Sequence, residues 1–276
     1  MTTAKRPARR KPAAKPSRSN DSAAAYSDLS TRPLHILVFL APLLVLYEIG
    51  SILYLSNPST GAVETISARR MISAFFEIFG AFGLYLPGLV LATVLLVWHT
   101  LRKDRWTVQL PVIPVMAMES IVWTIPLVVV ATIIPFFVAA AELAPLAGQT
   151  GANEIHRLST QARLTIAIGA GLYEELVFRV VCIAIIHTIV VDVLGAKKQA
   201  GAVTAVLFSA IAFTLYHDLR TPTGHINLPL TAFLFFAGVY FGILYIWRGF
   251  GIVVGVHALY DVVALVLLPA SRSITD

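Results

Sequence analysis

Long apolar stretches separated by short polar gaps set the pattern of this chain. Runs close to the length of a bilayer crossing, about 20 residues, recur at about 34–55, 72–98, 119–141, 164–191, 202–217, 229–247 and 252–269. Hydropathy of this kind predicts seven transmembrane helices. The second stretch is overlong and interrupted by Gly83, Pro87 and Gly88. It reads as one span or as a short interfacial helix followed by a span, which would make eight helices. Gly and Pro occur freely inside the runs, as membrane helices tolerate. The fold class expected is therefore all-α, a polytopic transmembrane helical bundle.

Composition agrees with the pattern. Apolar residues make up 57% of the 276-residue chain and charged residues 13%, about half the share usual in a soluble domain. Formal net charge is +6, but much of it lies in one N-terminal block, so it does not signal nucleic-acid binding. Residues 1–33 hold Lys5, Arg6, Arg9, Arg10, Lys11, Lys15 and Arg18 among Ala, Pro and Ser. Such a segment has no core to form and is expected to be disordered. The Arg9–Arg10 pair stands far from the first apolar run, and no small-residue cleavage site follows a short apolar core. No removable signal peptide is therefore expected.

The segments in order are a basic tail (1–33), N-terminal transmembrane helices (34–141), a polar connector or amphipathic helix (142–163), a polar-bearing core (164–269) and a short tail (270–276). With the N-terminus inside, fourteen Lys and Arg fall on the inner side and six on the outer. The positive-inside rule then points to a cytoplasmic N-terminus in a plasma or inner membrane. Without the tail, the loops divide six against six.

Charge inside a span changes the picture most. The stretch 164–191 carries Glu174, Glu175 and Arg179 near its middle. Each such group costs roughly 2.5–3.5 kcal/mol at the centre of an inserted helix. Glu175 and Arg179 are four residues apart, so they can meet on one helical face and neutralise each other. Glu174 projects about 100° away and lacks a local partner. The structural alternative for the pair is an ion pair that locks two helices together. Cys182, the one cysteine, lies in the apolar part of the same helix and reads as inert packing.

Three further features follow in the later spans. Phe213-x-x-x-His217 places a ring and an imidazole one helical turn apart, and His257-x-x-x-Asp261 does the same for an imidazole and a carboxylate. Between them, Gly238 and Gly242 have the small-xxx-small spacing of close helix packing. His35, His99, His187 and His225 read as helix-end or interhelical hydrogen-bonding groups. There is no HExxH segment, no Gly-x-Ser-Gly, no GxGD setting and no phosphate-binding glycine loop.

Taken in order, Glu174-Glu175-x-x-x-Arg179, Phe213-x-x-x-His217 and His257-x-x-x-Asp261 resemble the motifs of type II CAAX prenyl endopeptidases and bacteriocin-processing enzymes, the CPBP or Abi family. The likeness spans roughly residues 164–265 and includes the approach GILYIWRGFGIVVGVHALYD to the last histidine. It implies an intramembrane glutamic endopeptidase acting on a membrane-associated or lipid-modified protein or peptide, with no cofactor. Glu174 would be the general base that activates water, and His217 would help hold and polarise that water. His257 and Asp261 would line the opposite wall and stabilise the oxyanion, with Glu175, Arg179 and Phe213 in support.

Some relatives carry Asn where this chain has Asp261. An ionised carboxylate cannot donate to an oxyanion, so Asp261 is expected to orient His257 as a hydrogen-bond acceptor while His257 meets the oxyanion. A protonated Asp261 is the other possibility. The rival chemistry is a zinc ion held by Glu174, His217, His257 and Asp261. Two rival functions are a non-catalytic binding or immunity protein of the same fold and a proton-coupled transporter. No inverted repeat supports the transporter.

Overall fold

In the computed structural model the described residues are 25–55, 86–139, 158–221 and 223–267. Seven helices run through them: α1 (Pro33–Tyr54), α2 (Leu86–Arg102), α3 (Val112–Ala139), α4 (Thr160–Val193), α5 (Lys198–Tyr216), α6 (Leu228–Arg248) and α7 (Phe250–Leu267). Six are long and apolar enough to cross a membrane, and the 17-residue α2 falls short. Six of the seven expected spans thus appear among the described residues, and the second is described only from residue 86 on. The first part of the overlong second stretch, 72–85, lies outside them. No strand occurs among the described residues beyond an isolated bridge between Arg220 and Ile226. The protein is an integral membrane helical bundle.

Local sequence explains where the helices begin. Pro33 sits in the first turn of α1, where its missing N–H would have been unpaired anyway. Ser159 caps α4 by accepting from the Ala162 amide at 3.1 Å, and Asn227 caps α6 by accepting from Leu230 at 3.1 Å. The α6–α7 junction is the single residue Gly249 with φ of +85°, a conformation that favours glycine.

Two boundaries differ from expectation. The tail expected to be disordered through 33 already has helical residues at 25–30, because side chains there anchor to α3 and α6. Its earlier part, 1–24, lies outside the described residues. Helix α3 begins at Val112 rather than 119, because Glu119 is matched by Arg248 and does not end the apolar run. Of the expected connector 142–163, residues 142–157 also lie outside the described residues.

Helix α7 is the axis of the bundle, with every residue from Phe250 to Ala258 buried. It packs on α4 at the closest possible range. A Cβ on Gly171 would lie 2.8 Å from the Ala258 backbone nitrogen and 2.9 Å from the Val254 carbonyl oxygen. Helices α5 and α6 approach through the two glycines singled out in the sequence, Gly238 against Ala210 and Gly242 against Val206. Large apolar side chains such as Leu46, Leu53, Ile125 and Phe236 are exposed on the outside, as a lipid-facing surface requires.

Helix α4 is 34 residues long, about 50 Å at 1.5 Å per residue. It is not a regular α-helix throughout. It changes to π-helix over Leu176–Cys182 and again over Ile189–Val193, and α7 does the same over Val263–Leu267. Single π-turns of this kind concentrate at functional sites. Here one starts two residues after Glu174 and another two residues after Asp261.

Candidate active site

Glu174 and Glu175 close the regular part of α4, both buried. As successive residues of a helix they project in different directions, and the bundle gives them different surroundings. Glu175 forms a 2.9 Å ion pair with Arg179, both side chains fully buried. Its other oxygen, Oε1, accepts from His257 Nδ1 at 2.8 Å. A carboxylate there can only accept from that nitrogen in the ionised form, so His257 carries its proton on Nδ1 and turns Nε2 toward the site.

The Nε2 atom of His257 lies 3.8 Å from Glu174 Oε2 and 3.6 Å from Asp261 Oδ2. The expectation that Asp261 orients His257 is therefore corrected. Glu175 holds the ring through Nδ1, while Asp261 stands at the opposite nitrogen, beyond hydrogen-bond range. The cause is the α4–α7 contact at Gly171, which brings the α4 acids alongside the His257 ring.

His217 comes from the end of α5. It is the residue that follows the helix, with extended backbone (φ −85°, ψ 155°), not a member of the helical face. Its Nδ1 still donates to the carbonyl of Phe213 at 2.8 Å. A carbonyl has no proton to give, so the bond fixes the tautomer and leaves Nε2 free of hydrogen in the neutral ring. That Nε2 lies 3.9 Å from Glu174 Oε2. Two imidazole nitrogens and one carboxylate oxygen thus converge from three helices.

Glu174 Oε2 has no hydrogen-bond partner among the described residues and is buried. Separations of 3.8–3.9 Å exceed a direct hydrogen bond, but they suit one small polar molecule shared by both groups. His217 is the most accessible of these side chains, 29% exposed against 8% for Glu174 and 5% for His257, which puts the approach to the site on its side. No three His, Cys, Asp or Glu side chains among the described residues are grouped as metal ligands.

Aromatic rings seal the site inward. Phe213 and Phe241 lie against the Arg179 guanidinium, 4.9 and 5.5 Å from its carbon. Phe241 also stacks on His257, with centroids 4.6 Å apart and planes 19° from parallel. Neither Phe241 nor Ser209, which bonds to Arg179 at 2.9 Å, was picked out from the sequence. The signal was available for Ser209, which is four residues before Phe213 and so on the same face of α5. Phe241 lay hidden as one aromatic among many, beside Gly242. Two more polar residues escaped notice in the N-terminal helices. Glu48 accepts from the Tyr173 hydroxyl at 2.9 Å, tying α1 to α4, and Glu119 accepts from Arg248 Nη2 at 2.8 Å.

The remaining histidines keep to packing roles where contacts are seen. His35 Nε2 accepts from the Gln109 amide at 3.1 Å, and His99 meets Trp106 edge to face at 4.4 Å. Comparison with known proteins finds no curated protein and no solved structure that matches the chain. A family model described as type II CAAX prenyl endopeptidase Rce1-like does match, over residues 158–263. That interval contains every group of the converged site, from Glu174 on α4 to Asp261 on α7, and over it the chain is similar to the type II CAAX prenyl endopeptidases of the CPBP family.

Proposed function

We propose that the protein is an intramembrane endopeptidase that hydrolyses a peptide bond in a membrane-associated or lipid-modified protein or peptide. The observation that carries the reading is the unpartnered Glu174 Oε2 facing His217 and His257 Nε2 at 3.9 and 3.8 Å. A water between Glu174 and His217 donates one hydrogen to each acceptor, which turns its lone pairs toward the substrate carbonyl. As its oxygen bonds to that carbon, Glu174 takes the proton. The same proton then passes to the leaving nitrogen as the C–N bond breaks, giving an acid and an amine.

His257 supplies the opposite charge. With Nδ1 committed to Glu175, its imidazolium form presents Nε2–H toward the oxyanion, in a site closed by Phe213 and Phe241 where such a bond counts most. Asp261 lies beside that nitrogen, its Oδ2 3.6 Å away. Trp106 follows α2 with Arg102, Lys103 and Arg105, and Trp247 and Arg248 end α6, with Arg102 bonded to Thr31 and Arg248 to Ser27 of the N-terminal segment, the pattern of a membrane interface. We place this end on the cytoplasmic side of a plasma or inner membrane.

The test uses the full chain reconstituted in liposomes with lipid-modified peptides, the products read by mass spectrometry. Wild type should cleave and Glu174→Gln should not. Equal cleavage by the glutamine variant would remove Glu174 as base, and peptide binding by both without cleavage would favour a binding protein. A chelator should leave the rate unchanged. Loss of activity restored by added zinc would move the chemistry to a metal held by the same four side chains.

A further inference from the structure

The buried site extends past Arg179 to a hydroxyl on a third helix. Ser209 of α5 is fully buried. Its Oγ donates to the Phe178 carbonyl at 2.7 Å and accepts from Arg179 Nη1 at 2.9 Å. Both partners lie in the π-helical stretch Leu176–Cys182. A hydroxyl has one proton and can accept as well as donate, so this geometry uses it in both directions. Arg179 Nε meets Glu175 Oε2 as an ion pair at 2.9 Å, and Nη2 has no hydrogen-bond partner among the described residues. Ser209 is thus the neutral acceptor that fixes the guanidinium, whose charge goes to Glu175.

From there the contacts run without a break. Arg179 pairs with Glu175 at 2.9 Å, Glu175 accepts from His257 Nδ1 at 2.8 Å, and His257 Nε2 faces Glu174 at 3.8 Å. Resting on the endopeptidase reading above, we infer that Ser209 is a positioning residue for the hydrolysis. It touches neither substrate nor water. It holds Arg179 in the plane that keeps Glu175 on His257, and so sets the direction in which Nε2 points. Phe213 and Phe241 confine the guanidinium on its faces, which leaves its in-plane orientation to Glu175 and Ser209.

This assigns a specific pattern of defects. Ser209→Ala should lower kcat about 10-fold, the lower end for a hydrogen bond to a charged group, with KM changed less than about twofold. Ser209→Thr keeps the hydroxyl and should recover most of the rate. In combination with Glu175→Gln, the alanine change should add little, because both act along one chain of contacts. Melting of the detergent-solubilised variants reports folding separately.

Unchanged kcat in Ser209→Ala would overturn the inference. So would equal loss in the threonine variant, or a full additional 10-fold loss in the double variant. If wild type itself cleaves no peptide, or Glu174→Gln cleaves normally, the endopeptidase reading fails instead, and the two failures are told apart in one set of assays.

Discussion

Two buried ionic clusters stand at different places in this bundle, and they are built to opposite rules. At the end nearest the N-terminal segment, Glu119 of α3 is matched on both oxygens. Arg248 reaches Oε1 through Nε and Oε2 through Nη2, Tyr26 donates to Oε2, and Trp123 donates to Oε1 at 3.2 Å. The guanidinium is also held by Ser27 at 3.0 Å and Ser30 at 3.2 Å. Every strong donor and acceptor finds a partner, and the result ties residues 25–30 to α3 and α6. At the site on α4 and α7, Glu175 is ion-paired with Arg179 at 2.9 Å and accepts from His257, but Glu174 beside it keeps an oxygen with no hydrogen-bond partner and no guanidinium paired to it among the described residues. A saturated cluster is a clasp. One that leaves a carboxylate oxygen open between two imidazoles has room for a reactant.

The sharpest way to break this comparison is the same substitution in both clusters. Glu174→Gln should cut peptide cleavage by about 10²–10⁴-fold, the range for loss of a general base, with little change in melting temperature, because no hydrogen bond of Glu174 is lost. Glu119→Gln should do the reverse. The amide loses the charge opposite Arg248 and lowers the melting temperature, while the folded fraction cleaves at the wild-type rate. Similar activity loss in both would mean the open oxygen has no special role.

Removing the cations ranks the clusters by burial. Arg179→Met strands Glu175, whose side chain is fully buried, and should cost about 3–5 kcal/mol of stability, as breaking a buried pair does. Arg248→Met should cost less, about 1–3 kcal/mol, since Glu119 stays 16% exposed and keeps Tyr26 and Trp123. Denaturation in a mild detergent series checks the order. A larger cost for Arg248→Met would show that the clasp, not the site, carries the fold.

The contrast also explains what could be read in advance. Apolar length and spacing gave the bundle and most helix limits within a few residues, because in lipid every crossing segment must satisfy its own backbone. The i, i+4 pairs were legible for the same reason: Glu175 with Arg179 and Phe213 with His217 meet through local geometry alone. Contacts between distant segments were not. That Glu175 rather than Asp261 bonds to His257, that Ser209 reaches Arg179, and that Glu119 is matched by Arg248 all depend on which helices touch. The sequence carries no mark of the 129 positions between Glu119 and Arg248. The same hidden match moved the start of α3.

A smaller effect sharpens the role of the last motif residue. Asp261→Asn keeps the shape and removes the charge beside His257 Nε2, where the carboxylate lies 3.6 Å away. Glu175 still holds the ring through Nδ1, so cleavage should fall by no more than about 10-fold, equivalent to about 1.4 kcal/mol. A loss as large as that of Glu174→Gln would make Asp261 an equal partner in the chemistry and reopen its assignment as a flanking charge.

The smallest expected change lies in the clasp. Tyr26 precedes α1, outside the spans, and its hydroxyl donates to Glu119 Oε2 at 2.5 Å. Burial, with the hydrogen bond to Glu119 next, raises the Tyr26 phenol well above its ordinary range, so it remains a donor at every working pH. Tyr26→Phe removes that donor, yet the same oxygen keeps Arg248 Nη2 at 2.8 Å. The loss should therefore be about 1 kcal/mol, the usual net worth of one hydrogen bond. It should not vary between about pH 6 and 9, because a phenol whose folded-state pKa lies above its ordinary value of about 10 is protonated in both folded and unfolded chains over that interval. Peptide cleavage should be unaltered. A stability loss that changed with pH across this range would mean that another titrating group, not the phenol, closes the clasp, and a fall in cleavage would show that the two clusters are coupled through α3 and α7.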